Sequence, residues 1–321
     1  MNKKTSWLLF LAVILVGSVI SISCKKTIEN LTDSLDATNA TSAKTQSSDV
    51  SLVNSETDQT DNDVNSITSA SAKMSGAGNT TSSGVGDVTI DSSSSFKTLR
   101  VTFNGTQTPG TCKKRTGTIT IDLISGNRWV DVGAVLQYTF TNFKVFNVCT
   151  NKSITINGVR KMTNISGGNI FKLTTGSIAK LTHQIRAEYK VNFTDSLGNS
   201  DSALWHVARK TDIVYGLNVY GFTFSGDTTL NSISNVESWG TTRKGASYVT
   251  AFPTPVVSNT SCGLWKPTAG VVTHTVGIFP FTVQYGVDAA GNQVSPPNCA
   301  GYYKVTWINV AGNTVSAIIS Y

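Results

Sequence analysis

Four cysteines, Cys112, Cys149, Cys262 and Cys299, form two pairs whose members are each 37 residues apart. In an exported chain, an even number of cysteines indicates disulfide bonds, and four cysteines allow three pairings. The equal spacings favour Cys112–Cys149 and Cys262–Cys299. A zinc site is the alternative, but no Cys-x-x-Cys motif and no neighbouring histidine accompany these cysteines.

A fifth cysteine, Cys24, follows a short basic start and an apolar run from Trp7 to Ile20. This order, with small residues before the cysteine, is typical of a bacterial export signal. The run is short for a membrane span, which needs about 20 residues. The arrangement resembles the lipobox of bacterial lipoproteins, in which the cysteine is acylated and becomes the new N-terminus. We therefore expect a signal peptide over residues 1–23 and a lipid on Cys24; an ordinary cleaved signal and an uncleaved anchor are the alternatives.

Two tryptophans and one acidic turn are candidates for ligand binding. Trp239 and Trp265 lie in turn-like sequence, where exposed rings can stack on a sugar or anchor a protein partner; alternatively, they cover the ends of a β core. Asp195, Asn199 and Asp201 could offer oxygen ligands to calcium, although the same residue types form ordinary hairpin turns.

The signals for catalysis are weak. The three histidines, His183, His206 and His274, lie in strand-like stretches without a second ligand type at metal spacing. The sequence contains no Gly-x-Ser-x-Gly motif and no phosphate-binding loop, and nothing singles out a pair of acids suited to glycoside hydrolysis. We therefore predict no catalytic residue, no cofactor and no metal, and keep a hydrolase only as the second alternative.

The first third of the chain differs in composition from the rest. Between Leu11 and Ser95 there is no Phe, Tyr or Trp, and Ser, Thr, Asn and Asp are abundant. Such a segment cannot bury enough apolar surface to offset its conformational entropy. We therefore expect residues 24–95 to form a lipid-anchored, disordered tether.

The tether is acidic, so the remainder of the chain is clearly basic. Its basic blocks are Lys113-Lys114-Arg115, Arg160-Lys161, Arg209-Lys210 and Arg243-Lys244. We expect solvated charges at strand edges and turns, where they discourage edge-to-edge pairing. Attraction to acidic glycans or to an anionic membrane surface is the alternative. No recognition motif points to nucleic acid.

From Phe96 onward, apolar and polar residues alternate, as at Ile119, Ile121 and Leu123, which predicts antiparallel strands. Further strand candidates are Leu99–Phe103, Ala134–Phe140, Ser153–Ile156, Ile170–Thr174, His183–Phe193, Ala203–Ala208, Ile213–Phe224, Ala246–Phe252, Val271–Thr275, Phe279–Tyr285, Tyr303–Trp307 and Val315–Ser320. We therefore expect an all-β body over residues 96–321, as an antiparallel β-sandwich or two stacked half-sandwiches, with either one domain or subdomains at about 96–210 and 211–321.

Several stretches resemble an uncharacterised family of Bacteroidota lipoproteins in their order and spacing. They are Cys112 with Arg115-Thr116-Gly117, the stretch Ile154–Asn164, Arg243-Lys244-Gly245 and the segment Cys262–Cys299. The acidic Gly-Asp-Gly that often precedes the last cysteine in that family is replaced here by Val287-Asp288 and Pro296-Pro297-Asn298. Because the family has no assigned activity, the resemblance implies an all-β fold and an envelope location only.

Together these features predict an outer-membrane lipoprotein, on the periplasmic face or at the cell surface. The expected role is non-enzymatic binding of a glycan or an envelope protein, with the membrane contacted through the lipid. A structural or assembly role in an outer-membrane complex is the first alternative.

Overall fold

The computed structural model describes residues 38–61, 63–64, 88–95, 97–107, 110–263 and 266–321. Fifteen strands dominate this part of the chain, so the expected all-β fold is confirmed. The strands are β1 (Val88–Ser95), β2 (Thr98–Gln107), β3 (Lys113–Ser125), β4 (Ala134–Asn147), β5 (Lys152–Asn164), β6 (Leu181–Thr194), β7 (Ser200–Gly216), β8 (Val219–Gly226), β9 (Thr228–Leu230), β10 (Ile233–Thr241), β11 (Ser247–Asn259), β12 (Ala269–Val276), β13 (Phe279–Val287), β14 (Tyr302–Ile308) and β15 (Thr314–Ser320).

The strands form one antiparallel sheet in which almost every strand pairs with its neighbours in sequence. The exception lies between β7 and β11, where β8 and β10 lie end to end and each pairs with both of these strands. Strand β10 pairs with residues 204–207 of β7, and β8 pairs with residues 209–216. The sheet is therefore continuous across β7, and the subdomain boundary considered near residue 210 falls inside that strand.

Alternating side chains build the core, as the sequence pattern predicts. Ile119, Ile121 and Leu123 are all buried, and they belong to a large hydrophobic cluster that draws mainly on β2 to β7. A second cluster, which includes Phe252 and Phe281, draws on β11 to β14. The two-residue period of apolar side chains therefore predicts correctly which residues form the core along most of the sheet.

A glycine in the middle of β5 allows the backbone of β6 to approach closely. Gly158 pairs with Phe140 on one side and Tyr189 on the other, and the two rings meet across it with centroids 5.5 Å apart. A Cβ at this position would lie 2.1 Å from the carbonyl oxygen of Glu188, and the φ angle of 143° disfavours any other residue.

Within the described residues two helices accompany the sheet, and the longer one lies inside the predicted tether. Residues 38–61 form α1, and residues 63 and 64 are also helical. Because α1 and strand β1 are ordered elements, the prediction of disorder for residues 24–95 was wrong over these two segments. Low apolar content does not exclude order in α1, because buried charged groups also hold this helix in place. The rest of residues 24–95, including Cys24, lies outside the described residues. The predicted signal peptide over residues 1–23 lies outside them as well.

Two strand predictions need correction at their local structure. Ile170–Thr174 forms a short helix, α2, because the side chain of Asn169 accepts a hydrogen bond from the backbone N–H of Lys172 and caps the first turn. The predicted strand Ile213–Phe224 is a hairpin. Leu217 and Asn218 adopt φ angles of 51° and 61° between β7 and β8, as a tight turn requires.

The close approach at Gly158 gives a prediction for stability. Gly158→Ala should lower the free energy of unfolding by about 3 kcal/mol or more, because it adds a clash with backbone to a strained φ angle. Gly301→Ala is the matched control, since a Cβ there meets nothing within 4 Å. Urea denaturation followed by circular dichroism measures both; equal stabilities would contradict this account of Gly158.

Candidate functional site

Helix α1 lies in a concave face of the sheet, which we call the inner face. Twelve of the described residues between 38 and 64 are buried: Ala43, Gln46, Ser47, Asp49, Val50, Val53, Glu56, Thr57, Thr60, Asp61, Asp63 and Val64. At 3.6 residues per turn, these positions cover roughly 200° of the helix circumference. The sheet therefore wraps around more than half of the helix.

The buried side of α1 is polar to a degree that a core helix normally avoids. Only four of the twelve buried residues are apolar, and none of those four is larger than valine. The hydroxyl groups of Thr57 and Thr60 donate to carbonyl oxygens one turn earlier in the helix. Neither amide atom of Gln46 has a hydrogen-bond partner among the described residues. Apolar contact is therefore not what mainly attaches α1 to the sheet.

Three acids at intervals of seven residues form one stripe along α1, and each meets a cation of the sheet. The pairs are Asp49 with Arg243, Glu56 with Lys113 and Asp63 with Arg115. Arg243 binds in a bidentate manner, and its Nε lies 2.7 Å from one oxygen of Asp49. Two planar groups held by two hydrogen bonds fix both the position and the rotation of the helix.

A second set of charges lies deeper, where α1 crosses β5 and β7. Arg160, which is 1% exposed, contacts both Asp58 and Asp61, and Asp58 also contacts Arg209. The sheet adds Glu237, whose carboxylate lies 3.7 Å from Arg209. Glu237 stands at an irregularity in β10 between Val236 and Ser238. A β-bulge re-aims side chains, and here it turns an acid into the interface.

Phenylalanine rings of the sheet hold three of the cations in place. The guanidinium carbons of Arg243, Arg115 and Arg209 lie 4.2, 4.6 and 5.2 Å from the ring centroids of Phe193, Phe103 and Phe224, respectively. Such cation–π contacts contribute about 0.5–2 kcal/mol each. The sheet therefore supplies contacts of its own to these three arginines, in addition to those from the helix.

The pKa values of the acids show that burial dominates at this interface. Burial raises the pKa of Asp61 to about 6, against the lowering effect of Arg160. Burial also raises the pKa of Glu237, although Arg209 opposes the rise, and the pKa of Asp49, although Arg243 opposes it. Pairing with arginine therefore does not fully compensate these carboxylates for the water they lose.

A cavity of about 120 Å³ separates part of α1 from β8, β11, β13 and β14. Hydroxyl and amide side chains line its helix side, and aromatic rings line its sheet side: Ser47, Ser51 and Asn54 face Phe252, Tyr285 and Tyr303. The hydroxyl of Ser258 and the Nε of Arg209, both in the lining residues, have no hydrogen-bond partner among the described residues. The cavity therefore combines apolar walls with polar groups that a ligand could satisfy.

We expected the basic blocks of the sequence to lie at solvated strand edges and turns. The structure instead places part of each block at the interface with α1. Within each block at least one cation enters the interface with α1, and an adjacent cation stays outside it. Arg160 and Arg243 face α1, whereas Lys161 and Lys244 are exposed. Strand alternation explains why Arg160 faces α1 and Lys161 does not, because successive side chains point to opposite faces.

The predicted disulfides are confirmed. Cys112 is bonded to Cys149 and Cys262 to Cys299, with Cα–Cα distances of 5.6 and 5.3 Å. The first bond joins the β2–β3 and β4–β5 connections, and the second joins the β11–β12 and β13–β14 connections. These four cysteines are therefore structural, and they are not zinc ligands.

The tryptophan prediction needs correction at Trp239. This residue lies within β10 and not in a turn, and it stacks on His206 with ring centroids 5.3 Å apart. Both rings are partly exposed. Trp265 lies outside the described residues. The His206–Trp239 stack is an accessible aromatic surface, but it involves none of the charged groups that contact α1.

The other histidines are buried at separate places. Burial lowers the pKa of His183 to about 4 and that of His274 to about 3, so both are neutral at pH 7. His183 packs on Trp129, whereas His274 forms a hydrogen bond with Thr250 and packs on Phe281.

The calcium candidate has the geometry of a hairpin turn. The carboxylate of Asp195 accepts hydrogen bonds from the N–H groups of Leu197 and Asn199 and from the Asn199 amide. Asp201 forms an ion pair with Lys244. Among the described residues, no group of three or more His, Cys, Asp or Glu side chains could hold a metal ion.

Sequence reasoning missed the α1 acids and their partners. One signal was present: Asp49, Glu56 and Asp63 repeat every seven residues, which places them on one stripe if the segment is helical. Their partners lie between 52 and 194 residues away. Local patterns therefore suggest the stripe but not what it contacts.

No protein-family model, no curated protein and no solved structure matches this chain. Among the helices that the structure describes, none is long and apolar enough to cross a membrane.

The central cluster gives a second stability prediction. Arg160→Met should lower the free energy of unfolding by about 3–5 kcal/mol, because it leaves the buried Asp61 without its ion-pair partner and leaves the half-buried Asp58 with Arg209 alone. Arg128→Met is the matched control; Arg128 forms an ion pair with Asp131 at the surface, where such pairs contribute about 1 kcal/mol or less. Urea denaturation at pH 7.5 measures both, and similar losses in the two variants would sink this interpretation.

Proposed function

We propose that this chain is a lipid-anchored, non-enzymatic binding module of the bacterial cell envelope, and that the inner face is its binding surface. One observation carries the proposal: the inner face presents five cations whose charges are met mainly by α1. They are Lys113, Arg115, Arg160, Arg209 and Arg243. Without α1, this concave face would be strongly cationic, and such surfaces attract anionic ligands.

The shape and lining of the inner face support a binding role over a purely structural one. A structural ion-pair network needs no empty space beside it, yet a cavity lies next to Arg209. Tyr285 and Tyr303 line this cavity, and aromatic walls suit either the apolar face of a sugar or the side chains of a protein segment. The ligand class that fits is therefore an acidic glycan or an acidic protein segment.

The envelope location is supported by the sequence before the described residues. The apolar run that ends at Ile20 and the position of Cys24 favour export and acylation. The two disulfides also suit an oxidising compartment. We propose the outer membrane as the site of anchoring.

Acylation can be tested directly. Cells that express the wild-type chain should incorporate radiolabelled palmitate into it, and Cys24→Ala should abolish the incorporation because no other residue becomes the acylated N-terminus. Cys24→Ala also serves as the control for non-specific labelling. Equal labelling of the two chains would overturn the proposed anchor.

The binding surface is tested by capture from detergent-solubilised envelopes with two opposite variants. The helix variant, Asp49→Asn with Glu56→Gln, weakens the hold of α1 and keeps the cations; we expect it to capture several-fold more ligand than the wild type. The sheet variant, Arg243→Gln with Lys113→Gln, removes the cations and should capture less.

Lys180→Gln is the control, because Lys180 pairs with Asp212 away from α1. Capture in the presence of an acidic polysaccharide or a neutral dextran then distinguishes a glycan from a protein ligand. Equal capture by the helix and sheet variants would show that the inner face is not the binding surface.

A further inference from the structure

We infer that the inner face accepts α1 from a second copy of this chain, so that two copies exchange helices. This inference rests on the proposed binding role of the inner face and names one partner for it. The occupant is specified by the structure, because α1 itself is the acidic segment whose fit to the inner face can be seen.

The contacts that hold α1 do not depend on which copy supplies it. The acids of α1 and the cations of the sheet are separated by at least 52 residues along the chain, and by 194 residues for Asp49 and Arg243. Between the last described residue of the helical segment, Val64, and the start of β1 at Val88 lie 23 residues, which span at most about 80 Å when extended. The chain length therefore permits α1 to reach a neighbouring sheet, where the same ion pairs form.

The helix is also suited to release and rebinding. Its sequence is rich in Ser, Thr, Asn and Asp, which are poor helix formers, so α1 gains its structure from docking and not from its own propensity. The charged groups lose their contacts with water when α1 docks, and the free-energy cost of this loss offsets much of the attraction within each ion pair. One oxygen of Asp61 and the Nε of Arg160 also have no hydrogen-bond partner among the described residues.

Local concentration decides between the two arrangements. Identical contacts within one copy and between two copies make helix exchange a low-cost route to a dimer. The proposed lipid on Cys24 would confine copies to one membrane plane, which raises their effective concentration. Exchange is then favoured at the membrane more than in dilute solution.

Charge reversal in trans tests the inference. The helix-reversed chain carries Asp49→Arg and Glu56→Lys, and the sheet-reversed chain carries Arg243→Asp and Lys113→Glu. Each repels its own helix, but the helix of either chain matches the sheet of the other. All chains also carry Cys24→Ala, so that detergent micelles do not hold copies together. Native mass spectrometry of an equimolar mixture should show 1:1 dimers at least tenfold above the dimers of either chain alone.

A chain with all four reversals is the matched control, since it restores the ion pairs within one copy. Hydrogen-exchange protection of residues 38–61 in this control shows that the reversed charges permit docking. If the control is protected and the mixture contains no 1:1 dimers, helix exchange is refuted.

If the control is unprotected, an equimolar mixture of ¹⁴N- and ¹⁵N-labelled Cys24→Ala chains decides instead, at a protein concentration high enough to replace confinement in a membrane. Zero-length carbodiimide cross-links that join Glu56 of one isotope label to Lys113 of the other support exchange, and cross-links within one label only refute it. Either negative result leaves the capture experiment on the inner face unaffected, so the failure of this inference is distinguishable from failure of the proposed function.

Discussion

The mutual burial of carboxylates from α1 and guanidinium groups from the sheet is the interaction on which the rest of this structure depends. Moving an unpaired charge out of water costs several kcal/mol of free energy. Arg160 is almost completely enclosed and contacts both Asp58 and Asp61, so the helix and the sheet each neutralise charge that the other buries. The position of α1 on the sheet is therefore set mainly by these charges.

The irregular features of the sheet serve this burial. Gly158 lets β6 approach β5 closely and leaves room for Phe140 and Tyr189 to meet, and the hydroxyl of Tyr189 lies 3.2 Å from Arg160. Strands β8 and β10 pair with successive parts of β7, and this arrangement interrupts the regular meander beside Arg209. Regular strands alone would produce an ordinary half-buried sheet; the glycine, the bulge and the interrupted meander give it a charged interior.

The strands and the disulfides were predictable because their signals are local or nearly so. Alternation at Ile119 and Ile121 shows which face is buried, and the two equal cysteine spacings indicate the pairing. Helix α2 was not predictable from its five residues, since a short apolar run fits a strand equally well and the cap at Asn169 decides. Helix α1 was missed for a different reason. Its stability comes from cations such as Arg243, which are distant in sequence, and composition alone cannot report a partner that the fold supplies.

The proposed lipid on Cys24 would be linked to the β body through α1. Only 13 residues, 25–37, lie between Cys24 and the first described residue of α1, Thr38, and a chain of that length extends to at most about 45 Å. A lipid on Cys24 would therefore hold the point where α1 docks within that distance of the bilayer. Ala43, near the beginning of α1, packs with Phe252 and its neighbours in the second hydrophobic cluster. That end of the sheet would then be the part nearest the proposed point of lipid attachment.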